Sequence, residues 1–340
     1  MSTAPHLLSP SVRSIRVPGL AFATGFAAIA ILAAVLSGLI PVAFSIATVF
    51  LFAGPHNWFE ARYILGRLPA RVGKLRSFFL LSATGIVGLT VTYPLLPVLA
   101  ERLPDSVPIG SLYALWNTAF LFWIAALVWM RSRTNPRFDG GWAWPAAFLV
   151  TAGVWLNPIV LNVALVYLHP LLALVLLDRE LGRSHPTWRL AYRVAVLLVP
   201  TGLGVLWWQL HDAPDLPGSD PLNLTLKIAD HAGAWFLQGV STHFLVAAHT
   251  FLEMVHYGAW VVLIPLIGLR AWPWELRTIP AARRTPAWSR GVANLLLAGV
   301  AIVVVLWICF GLDYGTTRSI YFTLAMLHVL AEIPFLLRMV

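Results

Sequence analysis

Three short stretches of the chain repeat one chemical pattern. HNWFE (His56 to Glu60), HTFLE (His249 to Glu253) and HVLAE (His328 to Glu332) each put a histidine four residues before a glutamate, within or at the end of an apolar run. With only ten histidines and six glutamates in 340 residues, three such pairs exceed what chance would place. A spacing of four sets both side chains on one helix face, a turn apart. Such a pair suits two arrangements. Both groups can bind a metal, as on the helices of di-iron carboxylate bundles, or the imidazole binds while the carboxylate orients a ligand. The second stretch runs on to His256, so His249, Glu253 and His256 form one stripe at i, i+4 and i+7. The other three glutamates, Glu101, Glu180 and Glu275, stand beside arginines and read as solvated loop charges.

The elements that must position these groups are membrane helices. The chain is 59% hydrophobic and only 11% charged, against about 25% charged in soluble domains. The expected fold is all-α: a polytopic membrane helix bundle, one transmembrane domain over residues 1–340, with no large soluble domain. Ten apolar runs are long enough to cross a bilayer: about 19–40, 42–65, 77–98, 109–130, 142–157, 159–177, 190–208, 240–269, 291–311 and 319–337. The fifth and sixth come from one long block, for which Asn157-Pro158 is the natural break. The first run is too long for a signal-peptide core and reads as a retained anchor. Residues 209–239 make the longest outer segment, whose second part, LTLKIADHAGAWFLQGV, suits a helix lying on the outer surface.

The basic residues test that count. With both termini cytoplasmic, the inner segments hold Arg13, Arg16, Arg62, Arg67, Arg71, Lys74, Arg76, Arg131, Arg133 and Arg137. They also hold Arg179, Arg183, Arg189, Arg193, Arg270, Arg277, Arg283, Arg284, Arg290 and Arg338. Only Arg102, Lys227 and Arg318 fall outside, so twenty stand against three, a strong positive-inside signal. The net charge of +9 is therefore topology and not a nucleic-acid footprint. A bacterial cytoplasmic membrane is the expected location.

The candidate helices are the second, sixth, eighth and tenth runs, all crossing from outside to inside. At 1.5 Å per residue, His169 lies about 15 Å from Arg179, and His328 about 15 Å from Arg338. By the same measure His256 lies about 21 Å from Arg270. Four helices can thus each bring a histidine near mid-membrane: His56, His169, His256 and His328, with His249 in reserve. Neutral imidazole is the commonest metal ligand, and Glu60, Glu253 and Glu332 would orient the ligands or complete a di-iron shell. His6, His185, His211 and His231 read as surface residues, and His243 stands near the outer start of the eighth run.

Other chemistries lack their residues. The lone Cys309 excludes an internal disulfide, a CxxC pair and a cysteine-rich metal site. No P-loop, nucleotide fingerprint or GxSxG elbow is present. The HxxxH and HxxHH boxes of membrane desaturases are also missing, and Lys74 and Lys227 stand outside the span cores.

The phrase GPHNWFEARY, through Pro55, His56 and Glu60, resembles the first histidine motif of the Brp/Blh-type β-carotene 15,15′-dioxygenases. Asn57 stands where that family has glycine, and the family's later close-spaced histidine pair has no counterpart here. The resemblance implies a histidine-bound non-haem iron and an oxygenase acting on a long apolar polyene.

Three readings follow. The first is a membrane metalloenzyme with a buried His/Glu site for non-haem iron, or zinc, taking a lipophilic substrate from the bilayer: a carotenoid, an isoprenoid or a fatty-acyl lipid. The second is an electron carrier with b-type haem on facing histidines. The third is a proton or ion transporter using the histidine–glutamate pairs as a relay.

Overall fold

In a membrane every backbone polar group must be satisfied within its own segment, so a chain of long apolar runs folds as helices. The computed structural model describes residues 19–69, 73–104, 108–135, 139–218, 220, 222–269 and 273–339. His6, Arg13, Arg16, Arg71, Arg137 and Arg270 lie outside the described residues. The helices in chain order are α1 (Gly19–Leu39), α2 (Pro41–Arg67), α3 (Arg76–Thr92), α4 (Leu95–Ala100), α5 (Ile109–Thr134), α6 (Ala143–Leu156) and α7 (Ile159–Ser184). There follow α8 (Arg189–Val196), α9 (Leu198–Leu210), α10 (Leu224–His231), α11 (Thr242–Gly258), α12 (Ile264–Gly268), α13 (Pro286–Leu312) and α14 (Tyr314–Met339). No strand occurs among the described residues.

Nine helices among the described residues are long and apolar enough to cross a membrane. The chain is an all-α, multi-pass membrane bundle. The fifth expected run, 142–157, forms the shorter α6. Its 14 residues span about 21 Å, less than a hydrocarbon core of about 30 Å. The break at Asn157-Pro158 falls where the sequence places it. The Asn157 side chain accepts the Ile159 N–H at 3.2 Å, and Asn117 of α5 donates to the Pro158 carbonyl at 2.7 Å. These bonds satisfy the backbone groups that the break would otherwise strand.

The polar residues sort the two ends of the bundle. At one end Arg131 donates to the Leu337 carbonyl at 3.1 Å, Arg338 to the Arg67 carbonyl, and Asp178 takes Arg189 and Arg193. Gly19, where α1 begins, packs against Trp188 at this same end. By the positive-inside rule this end is cytoplasmic. At the other end aspartates cap helices. Asp215 accepts from the Thr242 N–H and hydroxyl, which holds its carboxyl below the usual range. Asp220 accepts the Leu224 and Thr225 N–H groups at the start of α10.

Helix α11 is the axis of the bundle, with α1, α2, α7 and α9 packed around it. One apolar core joins α11 to α1, α7, α8 and α9. A second joins α3, α5 and α14. Small residues set the spacing, as expected where lipid supplies no hydrophobic drive between helices. At Gly258 a β-carbon would stand 2.7 Å from Ile29 Cγ2. At Gly85 it would run into the Trp123 indole, whose N–H donates to the Leu81 carbonyl at 2.9 Å.

One expectation about charge is corrected. Glu180 belongs to α7 and is buried: it pairs with Arg67 and accepts the Tyr63 hydroxyl at 2.7 Å. Arg62 is also buried and donates to Thr278 Oγ1 at 2.7 Å. Both stand where helices close over the cytoplasmic end, and each charge is retained there by a specific partner.

Candidate metal centre

The four helices singled out from sequence, α2, α7, α11 and α14, meet at the junction of the two cores. His56, His169, His256 and His328 come together there. Their rings form a near-square. His56 to His328, His328 to His169, His169 to His256 and His256 to His56 measure 5.1, 5.1, 4.8 and 5.4 Å between centroids. The diagonal from His256 to His328 is 6.5 Å.

Proline breaks the regular ladder at three of these helices. Pro55 precedes His56, Pro170 follows His169, and Pro334 stands two residues after Glu332. Proline has no N–H to donate and loosens the local backbone. In the fourth helix, α11 passes into a π-turn at Ala259–Leu263, just beyond His256. Pro265 cannot donate to Val261, and the ladder widens in that turn. All four helices are therefore irregular at the level of the histidines.

Local hydrogen bonds set the tautomers. His56 Nδ1 lies 3.1 Å from the Phe52 carbonyl, and His256 Nδ1 3.3 Å from the Pro170 carbonyl. A carbonyl only accepts, so Nδ1 of each ring carries the proton and Nε2 keeps its lone pair. Both Nε2 atoms are buried without a partner. His169 Nδ1 lies 3.3 Å from Glu332 Oε2, leaving its Nε2 turned toward His328 Nε2 at 3.2 Å. Two imidazoles on one first-row metal at about 2.1 Å would hold their nitrogens about 3.0–3.4 Å apart. Ring nitrogens with a carbonyl or carboxylate behind them are the usual outer arrangement of metal-binding histidines. Ligand atoms of His56, His256 and His328 all lie within 4.8 Å of one another, as do those of His169, His256 and Glu332.

The carboxylates divide. Glu332, with no exposure, sits behind His169, and the Trp260 indole stands beside it. Glu60, a turn from His56 toward the cytoplasm, is buried and acts electrostatically on Glu332. Glu253 lies on the other side of the square, a turn toward the outer end, and accepts the Tyr257 hydroxyl at 2.8 Å.

His249 stays apart from the four. It lies two turns outward along α11, with His231 edge-on at 5.1 Å and Tyr167 at 6.2 Å between centroids. His231 corrects the surface expectation. It ends α10, packs against Phe322 at 4.2 Å, and lines the same cavity as the square. Burial, reinforced by His249, holds its imidazole well below the ordinary pKa. The α10 segment folds inward over α11 because Ile228 and Ala229 are apolar on the side facing it, and this carries His231 with them.

A cavity of about 530 Å³ opens from the histidines toward the outer end. His56, His169, His256 and His328 close one end, and the half-exposed Ile109 and Trp235 stand at the other. Between them Ile159, Val163, Val166, Met326 and Val329 supply an apolar wall. Its size is that of ordinary small-ligand sites.

Spacing did not single out Tyr257, Tyr321 or Arg318. Tyr257 packs on His56 at 4.4 Å between centroids, and Tyr321 is buried with its hydroxyl 3.5 Å from the Ala53 carbonyl. Arg318 is buried, its guanidinium over the Phe322 ring. A signal existed for Tyr257, four residues after Glu253 and so on its helix face. No protein family, curated protein or solved structure matches this chain, and the square of histidines is read on its own geometry.

Proposed function

We propose that the chain is an integral membrane metalloenzyme of a bacterial cytoplasmic membrane. In this reading His56, His169, His256 and His328 hold one non-haem iron, and the substrate is a lipophilic molecule drawn from the bilayer. The observation that carries it is the square itself: four buried imidazoles from four helices, two of them with unpartnered Nε2 atoms. Buried polar atoms are rarely left unpaired, and four neutral imidazoles together are a ligand set for Fe, Zn, Cu or Ni. The resemblance carried by Pro55, His56 and Glu60 favours iron, and oxygenation or cleavage of a polyene chain as the reaction class.

Bound iron would supply dioxygen activation, whereas zinc would polarise water. The protein's own groups prepare the site. The Phe52 and Pro170 carbonyls hold His56 and His256 in the Nδ1–H form, and the Glu332 carboxylate stands 3.3 Å from His169 Nδ1. Beside a bound cation, Glu60 and Glu332 would be placed to offset its charge. The apolar cavity wall excludes water and takes a hydrocarbon chain. A haem is disfavoured, because rings 4.8–5.4 Å apart on all sides of the square leave no slot for a macrocycle.

Metal analysis with an absorption spectrum on detergent-purified protein tests this reading. We expect about one non-haem metal per chain in the wild type and none in His256→Ala. A Soret band would replace iron by haem. Folded protein that holds no metal after loading with ferrous iron or zinc would overturn the site.

A further inference from the structure

The cavity does more than reach the histidine square. One to two turns along α11 toward the outer end it passes a second polar layer, made by Glu253, His249 and His231. His249 is 4% exposed and Glu253 6%, yet His249 Nδ1 and Glu253 Oε2 have no partner. Glu253 Oε1 is already engaged by the Tyr257 hydroxyl at 2.8 Å. Two buried, cavity-lining polar groups thus each keep one open valence, in a cavity whose surface is mostly apolar.

The charges around this layer restrict what can fill it. Buried Arg318 acts electrostatically on both His249 and Glu253. A metal cation would meet that guanidinium, and no group of ligand atoms converges here as it does at the square, among the described residues. An anion would meet the Glu253 carboxylate. A neutral group that donates to Glu253 Oε2 and exchanges a second hydrogen bond with His249 Nδ1 satisfies both open valences. A hydroxyl does this with His249 in its Nδ1–H form: its single hydrogen goes to Glu253 Oε2 and its oxygen accepts from the ring.

We propose that Glu253 and His249 form a head-group station for a long-chain lipid alcohol, with its apolar chain running along the cavity to the histidines. Three and seven residues of α11 separate Glu253 and His249 from His256, so the station spans about 5–10 Å outward from the square. The part of the substrate presented to the square is then a carbon well down the chain, not the carbon bearing the hydroxyl. That assignment of the reacting position rests on the proposed metal centre; the binding of the alcohol does not.

The test uses the full chain in detergent, with fluorescence of Trp235 and its neighbours read during titration with 1-hexadecanol, hexadecane or palmitate. We expect the alcohol to bind about tenfold more tightly than the alkane or the carboxylate, the value of one to two buried hydrogen bonds. His249→Phe and Glu253→Leu should each remove that preference while the metal content stays at the wild-type level. His256→Ala should lose metal and keep the preference, which separates failure of the station from failure of the metal centre. Equal affinity for alcohol and alkane, no binding of any probe, or an unchanged preference in both folded station variants would overturn the proposal. So would tighter binding of palmitate than of hexadecanol.

Discussion

Two segments of equal length show how this bundle divides its labour. Thr242–Gly268, which is α11 with its π-turn and α12, and Pro286–Leu312, which is α13, have 27 residues each. In the first, 72% of the apolar window is buried inside the protein; in the second, 11%. The more hydrophobic segment, at mean hydropathy 2.9 against 1.6, is the one left facing outward. In water that order would be inverted. In lipid, apolar surface gains nothing by turning inward, and it is the polar groups and small residues that choose the centre. His249, Glu253, His256 and Gly258 therefore place their segment at the axis, while the Val- and Leu-rich α13 packs on α2 and α14 at the lipid-facing side.

The largest effect separating the two segments should come from the square. His256→Ala should abolish metal binding, whereas Val304→Ala on α13, at a position 45% exposed, should leave metal per chain unchanged. Equal metal content in the two variants would break the contrast. Next is the residue behind a ligand. Glu332→Gln should weaken metal affinity by about 10–100-fold, the usual cost of losing an outer partner, as read by competition with a chelator of known affinity.

Packing should come third. Gly258→Leu would drive a side chain into Ile29 and should destabilise by about 1–3 kcal/mol. Gly311→Ala on α13 meets open space and should stay within about 0.5 kcal/mol. Unfolding in mixed micelles would measure both. The smallest effect should come from the outer cap of α11. Asp215 has a depressed carboxyl pKa because it accepts from Thr242. Its contribution is present above the unfolded-state value of about 3.9 and is lost as pH falls through the lower folded value. The melting difference between wild type and Asp215→Ala should therefore shrink on acidification below that range.

Much of the site was legible because helical spacing is a local property. Two of the histidine–glutamate pairs, with the common direction of their helices, singled out His56 and His328, and the stripe that runs on from His249 and Glu253 added His256. His169 came from depth alone, having no carboxylate four residues on. The misplacements have a common cause. His249 and His256 share a helix stripe, so spacing ranks them together, but they are two turns apart and α10 covers only the outer one. Glu180 beside Arg179 looks solvated in sequence, and only the approach of α2 gives it Tyr63 and Arg67 as partners. His231 lies in a polar outer segment, and its burial depends on α10 folding over α11.

The sequence by itself determined that the chain is a helical membrane bundle, where most of its spans lie, which end carries the arginines, and that histidines and carboxylates stand within the spans. Hydropathy, charge bias and the 1.5 Å rise act along the chain and can be read without a partner. Tertiary structure alone decided that four imidazoles come together, with Nε2 of His169 and His328 3.2 Å apart, that the Pro170 carbonyl of one helix fixes the tautomer of His256 on another, and that a cavity joins the square to a second polar layer. Each of these depends on the rotation of one helix against its neighbours. Close contacts such as Gly258 with Ile29 and breaks at Pro55, Pro170 and the π-turn set that rotation, and no periodicity within a single segment encodes it.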